Sequence, residues 1–145
     1  MILKEDSTEQ KLRGAYYTPL KLAEKMVDFF KKDASIKSIL EPSCGDGVFV
    51  DALVETQFLT QNRKVTAIEI EKNEAQKVAE KLKNNPNVSV VNRDFFEFYQ
   101  KYKDINKYDM ILGNPPYIRY QYLEEKQRME MAEILTSHGM KANKL

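Results

Sequence analysis

A parallel α/β fold is what this 145-residue chain predicts, and three observations carry it. Short apolar runs at 36–41, 64–70, 87–91 and 108–112 alternate with stretches whose apolar residues recur every three or four positions. Alternation of that kind builds βαβ units, and βαβ units build a parallel sheet. No repeat, low-complexity tract or linker interrupts residues 14–135, so the elements belong to one domain. Each apolar run also stops in a loop of polar, acidic or glycine residues. Ligands of open α/β sheets bind outside the carboxyl ends of the strands, so four such ends describe one crevice.

The elements follow in order. Thr18-Pro19 reads as a helix start, with threonine as N-cap and proline in the first turn. Leu22/Ala23, Met26/Val27 and Phe29/Phe30 then repeat at helical spacing, and Lys31-Lys32 suit the negative end of the helix dipole. Residues 36–41 read as a strand, 48–58 as a helix and 64–70 as a second strand. A helix over 72–84 has a thin apolar stripe of Ala75, Val78, Ala79 and Leu82. Residues 87–91 form a short strand, 95–103 a helical turn or two, and 108–112 a buried strand. From Leu123 to about Ser137 the pattern is helical again, and the tail beyond Gly139 is polar.

Composition narrows the function classes. The chain is 42% hydrophobic and 31% charged, ordinary values for a soluble domain, and no apolar run approaches the length of a membrane span. The start, Met1-Ile-Leu-Lys-Glu-Asp, has no signal-peptide core, and the expected location is the cytoplasm. One cysteine, Cys44, excludes an internal disulfide framework, and with a single histidine, His138, a Cys/His metal site is not expected. Cys44 reads as a loop-packing residue and His138 as a surface helix residue. The net charge of +1 argues against strong gripping of nucleic acid, whose affinity comes largely from neutralised phosphates. The cluster Lys101, Lys103 and Lys107 fits a solvated face, whereas Arg119 is near enough to the last loop for a phosphate contact.

That last loop is the sharpest signal. After Met110-Ile111-Leu112 the chain breaks at Gly113, and Pro115 and Pro116 then stiffen it and remove two backbone donors. Asn114 thus sits at a strand end in a rigid loop, with Tyr117 three residues on. The amide oxygen of Asn114 and the carbonyl of Pro115 suit an –NH2 group, and a tyrosine face suits the ring that carries it. The competing reading is a plain proline-rich turn after an internal strand. The first loop, Glu41-Pro-Ser-Cys-Gly-Asp-Gly, has glycines at 45 and 47 that allow close backbone approach. It lacks the lysine of a phosphate-binding P-loop and the third glycine of the dinucleotide fingerprint. An acidic residue about 20 positions on could bind both ribose hydroxyls. Glu69 is placed for this, with Glu71 as competitor. Asp94 either accepts from an exocyclic amine, with Phe95 over a purine, or caps the helix that follows it.

Taken together, Arg13-Gly-Ala-Tyr-Tyr-Thr-Pro19, Glu41-Pro-Ser-Cys-Gly-Asp-Gly-Val-Phe49, Ile68-Glu-Ile, Arg93-Asp-Phe95 and Asn114-Pro-Pro-Tyr117 resemble the N-terminal part of an N6-adenine DNA methyltransferase of the gamma arrangement. The likeness covers roughly residues 13–122. It implies a Rossmann-like methyltransferase fold, the cofactor S-adenosylmethionine, DNA as partner and a place in a restriction-modification system. By resemblance, Tyr17, Thr18 and the loop residues Glu41, Ser43, Gly45 and Gly47 surround the methionine end of the cofactor. Glu69 takes its ribose, and Asp94 and Phe95 its adenine. Asn114, Pro115 and Tyr117 hold the flipped target adenine, with Asn114 also bordering the cofactor. Asn-Pro-Pro-Tyr also occurs in N5-glutamine protein methyltransferases and some ribosomal-RNA methyltransferases, but without the Arg-Gly-x-Tyr-Tyr-Thr-Pro segment in front. A cofactor-binding module without activity of its own is the other alternative.

The resemblance implies a seven-stranded sheet in a complete catalytic domain, whereas four strands are readable here. The expected organisation is an N-terminal extension (1–12), the cofactor and target-amine motifs (13–122) and a trailing helix and tail (123–145), with no target-recognition domain. A fragment of a longer enzyme is the favoured explanation. A subunit completed by another chain, or self-association through the open edge of the fourth strand, would also cover that edge. Weak, salt-sensitive DNA binding is expected of the chain alone.

Overall fold

The structure, a computed structural model, describes residues 18–60, 62–117 and 123–141. They fall into two compact units, Tyr17–Pro115 and a second made of Met1–Tyr16 with Pro116–Leu145. In the first unit the chain runs α1 (Leu20–Asp28), β1 (Ser38–Glu41), α2 (Val48–Glu55), β2 (Lys64–Glu69), α3 (Lys72–Lys81), β3 (Val88–Asn92), α4 (Phe95–Tyr102) and β4 (Met110–Ile111). The second unit contains α5 (Glu125–Ser137).

The four strands form one parallel sheet in the order β3-β2-β1-β4. Ile39 pairs with Val65 on one side and Met110 on the other, and Val65 pairs with Val88. The chain first winds outward through β2 and β3, then returns past β1 to lay down β4. Strand order therefore reverses between β1 and β4, and their carboxyl ends open a crevice. The parallel α/β architecture expected from the sequence is present.

Alternating side chains supply two cores. Ile39, Val65, Ala67 and Met110 face one way and pack with Ala23 and Val27 of α1, Phe49, Val50 and Leu53 of α2, and Val78 of α3. Leu40 and Ile68 face the other way and pack with Phe98 of α4, with Phe95, Tyr102 and Tyr108 at the margin. Phe58, fully buried just after α2, contributes on the order of 2–3 kcal/mol by leaving water. Asp109 fastens the amino end of the sheet by accepting from the N–H groups of Lys37 (2.8 Å) and Ser38 (2.9 Å).

Several sequence expectations change at their ends. Thr18 does not cap α1: Pro19 is the N-cap residue, and its carbonyl receives Leu22 N–H at 2.9 Å. The helix stops at Asp28, so Phe29 and Phe30 lie in the following turn, exposed, instead of extending the buried stripe. α2 ends at Glu55 because Gln57 turns into the left-handed region at φ 56°. α3 ends at Lys81, Leu82 is only partly buried, and Ala79 points to solvent. The strand expected over 108–112 is reduced to Met110–Ile111 and is not buried throughout. Met110 and Leu112 are covered, but Ile111 is 70% exposed because it points, like its pair Leu40, to the face where α4 covers only the inner strands. In the second unit, α5 begins with a capping box in which Glu124 and Gln127 each accept from the other's backbone N–H, and none of its residues is buried. Among the described residues no helix is long and apolar enough to cross a membrane.

Candidate functional site

The site is assembled from the ends of the four strands. β1 delivers Glu41 into the sheet's upper margin, 1% exposed, and among the described residues its Oε2 has no hydrogen-bond partner. Ser43 Oγ is likewise buried and unpartnered. The loop then turns through Gly45 (φ 53°) and Gly47 (φ 85°), a backbone path that side chains resist. A Cβ at position 47 would lie 3.0 Å from both methyl carbons of Val78, so glycine is also what lets α2 start against α3. Cys44 N–H donates to the Ile68 carbonyl at 2.8 Å and ties the loop to β2. Cys44 is buried, as expected of a loop-packing residue, and burial pushes its thiol up to about 12.

Glu69 ends β2 as its last residue and braces this loop. Its Oε2 accepts from Gly45 N–H at 2.7 Å, and its Oε1 accepts from Glu71 N–H at 2.8 Å. Glu71 is the exposed N-cap residue of α3, with no capping bond from its side chain. The two carboxylates are thus unlike: Glu69 borders the glycine loop and Glu71 points to water.

The third strand end is linked to the second. Asn92 Nδ2 donates to the carbonyls of Glu69 (2.8 Å) and Ile70 (2.9 Å), and Arg93 N–H donates to Glu69 as well at 3.0 Å. Sequence reading overlooked Asn92. Its only signal was an amide at a strand end, which is common in turns. Asp94 caps α4, its Oδ1 accepting from Phe96 N–H (2.8 Å) and Glu97 N–H (3.2 Å). Phe95 is half-buried beside Phe98 and Tyr99, with its ring centroid 6.4 Å from that of Tyr99.

At the fourth strand end Gly113 lies beside the end of β1, where a Cβ would make ordinary contact with Pro42 Cδ at 3.5 Å and Glu41 Cγ at 3.7 Å. Asn114 follows, and its Nδ2 donates to Thr18 Oγ1 at 3.3 Å across 96 positions of sequence. Thr18, displaced from its expected capping role, has this partner instead. Glu41, Gly45, Glu69, Asn92 and Gly113 therefore form one connected rim, with Asn114 and Thr18 joined at its end. Pro115 is exposed beside them. Tyr117 is exposed in the second compact unit, and Tyr17 lies outside the described residues.

Residues 8–144 match the Eco57I restriction-modification methylase family. The chain belongs to that family. It is 31% identical over 128 residues to the Type II methyltransferase M.HincII of Haemophilus influenzae, an alignment that covers 88% of this chain and 22% of the relative. It is 29% identical over 141 residues to the Type II methyltransferase M.AccI of Acinetobacter calcoaceticus, covering 97% of this chain and 24% of that protein. This Eco57I-family chain thus spans about a quarter of the length of the curated relatives it matches. Among solved structures, the O-methyltransferase from Bacillus cereus in complex with SAH superposes with a TM-score of 0.58 at 15% identity, over 77% of this chain and 51% of that one. The Eco57I-family chain therefore has a Rossmann-like methyltransferase fold, with four parallel strands among the described residues.

Proposed function

We propose that this chain forms the cofactor-binding and target-amine part of a DNA methyltransferase that transfers a methyl group from S-adenosylmethionine to adenine N6, as part of a restriction-modification system. The observation that carries this reading is a buried carboxyl at Glu41, its Oε2 without a hydrogen-bond partner among the described residues, at the end of the strand that pairs with the one leading to Asn114. Glu41 suits the positively charged methionine end of the cofactor, because an ammonium group would satisfy Oε2 and offset the charges of Glu69 and Asp46 nearby. Glu69 remains the ribose ligand of choice, since it borders the glycine loop while Glu71 faces water. Asp94 and Phe95 are assigned the adenine, and Ser43, Gly45, Gly47, Thr18 and Tyr17 the surroundings of the methionine end.

The bound cofactor supplies an activated methyl group, and the remaining work falls to this chain's residues. An aromatic amine is a weak nucleophile because its lone pair is delocalised into the ring. Asn114 Oδ1 and the Pro115 carbonyl accept the two amine hydrogens and so concentrate charge on nitrogen. Because Asn114 Nδ2 is engaged by Thr18, the amide oxygen is the atom left to face the amine. Tyr117 stacks on the flipped base and offsets part of its unstacking cost. DNA is the substrate this reading favours because the matching family is that of the Eco57I restriction-modification methylase and the relatives are Type II methyltransferases.

The test has two arms. Calorimetry with S-adenosylhomocysteine on the 145-residue chain is expected to show binding. Labelled methyl transfer to adenine-containing DNA is then measured with the chain and with a longer protein carrying a recognition region. Asn114→Ala in the longer protein is expected to lower turnover by at least about a hundredfold while leaving cofactor affinity within about twofold. Methylation of a protein glutamine or of RNA, with none on DNA, would overturn the substrate assignment.

A further inference from the structure

Glu41 sits among groups that all disfavour a negative charge. Asp46 lies in the glycine loop, Asp51 in the first turn of α2 and Glu69 at the end of β2, and each opposes ionisation of Glu41. Cys44 adds a neutral thiol beside it. Lys81 of α3 pairs its Nζ with Asp51 at 2.7 Å and donates to the Asp46 carbonyl at 3.3 Å. Lys81 thereby offsets Asp51, not Glu41. On the β4 side Gly113 lies beside Glu41, a Cβ built there falling 3.7 Å from Glu41 Cγ. Burial first, then the carboxylates of Asp46, Asp51 and Glu69, push the Glu41 carboxyl up to about 9.

The geometry agrees with that direction. A bare carboxylate at this position would be desolvated, unpartnered at Oε2 and beside like charges; a neutral acid relieves the desolvation and like-charge penalties, while Oε2 still lacks a partner. An arriving cation removes them just as well. We propose that Glu41 carries a proton in the free protein and releases it when a primary ammonium group of the ligand enters, so that binding exchanges a proton for a cation. The proposal rests on the cofactor reading given above and deepens it. In the exchange the acid O–H bond breaks and the proton passes to the buffer. The carboxylate formed then accepts an N–H from the ammonium group. No electrons are transferred and no covalent bond to the ligand forms.

The consequence is a cofactor affinity that depends on pH in the neutral range. Between about pH 6 and 7.5 the ligand ammonium stays charged while Glu41 in the free protein stays protonated, so one proton leaves per ligand bound. Affinity is then expected to rise about tenfold per pH unit over that window.

Calorimetry of the 145-residue chain in buffers of differing ionisation enthalpy measures the proton count directly. The probe is S-adenosylhomocysteine, which has the ammonium group but no sulfonium charge. Close to one proton released per ligand is the expected result. 5′-Methylthioadenosine, which keeps the nucleoside and lacks the amino-acid portion, is expected to bind without release. Glu41→Gln is expected to abolish the release and flatten the pH dependence. Infrared difference spectra of the unmodified protein give a readout independent of any variant, as loss of the protonated-acid carbonyl band on binding. Binding of S-adenosylhomocysteine without proton release, or equal release with 5′-methylthioadenosine, overturns the exchange and leaves the cofactor reading standing. Failure of the folded chain to bind S-adenosylhomocysteine at all overturns the cofactor reading, and the exchange with it.

Discussion

Glu69 and Gly45 are joined across two strand ends, the carboxylate Oε2 accepting the glycine N–H at 2.7 Å. A residue read from sequence as a ribose ligand thus also holds the shape of the glycine loop. The second oxygen does similar work on the turn into α3 through Glu71 N–H.

Glu69→Ala removes both acceptors at a position that is only 8% exposed. Hydrogen bonds to a charged group contribute roughly 1.5–3 kcal/mol, so a loss of about 2 kcal/mol in urea unfolding is expected. Weaker binding of S-adenosylhomocysteine should accompany it. Glu71→Ala, at an exposed side chain, is expected to leave both measurements nearly unchanged. Equal effects of the two substitutions would remove the distinction between these carboxylates.

Gly47→Ala meets two obstacles: a backbone at φ 85° and two Val78 methyl carbons at 3.0 Å. The left-handed conformation alone costs about 1–2 kcal/mol for an L-residue, and the contact adds to it. Combining it with Val78→Ala relieves the contact but not the dihedral. A double-mutant cycle in chemical denaturation is therefore expected to show a favourable coupling of about 1 kcal/mol. Strict additivity would mean that the Val78 contact is relaxed by other movements.

Arg63 is buried, and its guanidinium joins segments that are distant in sequence. Nε donates to the Ile36 carbonyl at 3.2 Å, a terminal nitrogen to the Asp33 carbonyl at 2.7 Å, and the group lies 4.1 Å from the Phe58 ring centroid. Arg63→Ala leaves those carbonyls short of a donor and opens space beside Phe58, so destabilisation of about 3 kcal/mol is expected. Arg63→Lys is expected to recover less than half of it, because one ammonium group cannot span the same acceptors. Thermal and urea unfolding measure both, and full rescue by lysine would reduce Arg63 to a simple charge.

Asp109 contributes to the acid side of stability. Hydrogen bonds from Lys37 N–H, Ser38 N–H and the Ser38 hydroxyl hold its carboxyl below the ordinary value of 3.8. The unfolded chain therefore takes up this proton first as pH falls. The stabilisation is complete above about pH 4–5 and is lost as pH drops through the lower, folded value. Asp109→Asn is expected to be less stable at neutral pH and to show a shallower acid limb, the two proteins converging at the lowest pH. Parallel acid limbs would show that Asp109 does not contribute to the pH dependence.

The helices and strands of the first unit were legible because their signals are local. Apolar spacing marked Ala75 and Val78 for burial, and the acid at Asp94 before an aromatic run had N-cap as one of its two readings. Errors arose where a local pattern competes with a longer-range demand. Thr18-Pro19 has the composition of a helix start, yet Thr18 Oγ1 accepts from Asn114 Nδ2, so the helix opens one residue later. Ile111 has the composition of a buried strand but lies on an edge strand whose outer face α4 does not reach.

By itself the sequence determined the alternation of strands and helices, the glycines that must turn after β1, and the chemistry available at each strand end. Residue type and spacing carry that information because periodicity and turn formation act over a few neighbours. Only the tertiary structure decided that β4 returns beside β1 and that Asn114 meets Thr18. It likewise decided that Glu41 ends buried with an unpartnered oxygen. Those outcomes depend on crossovers that bring together segments tens of residues apart, and on how much water the packed sheet excludes from one carboxyl group.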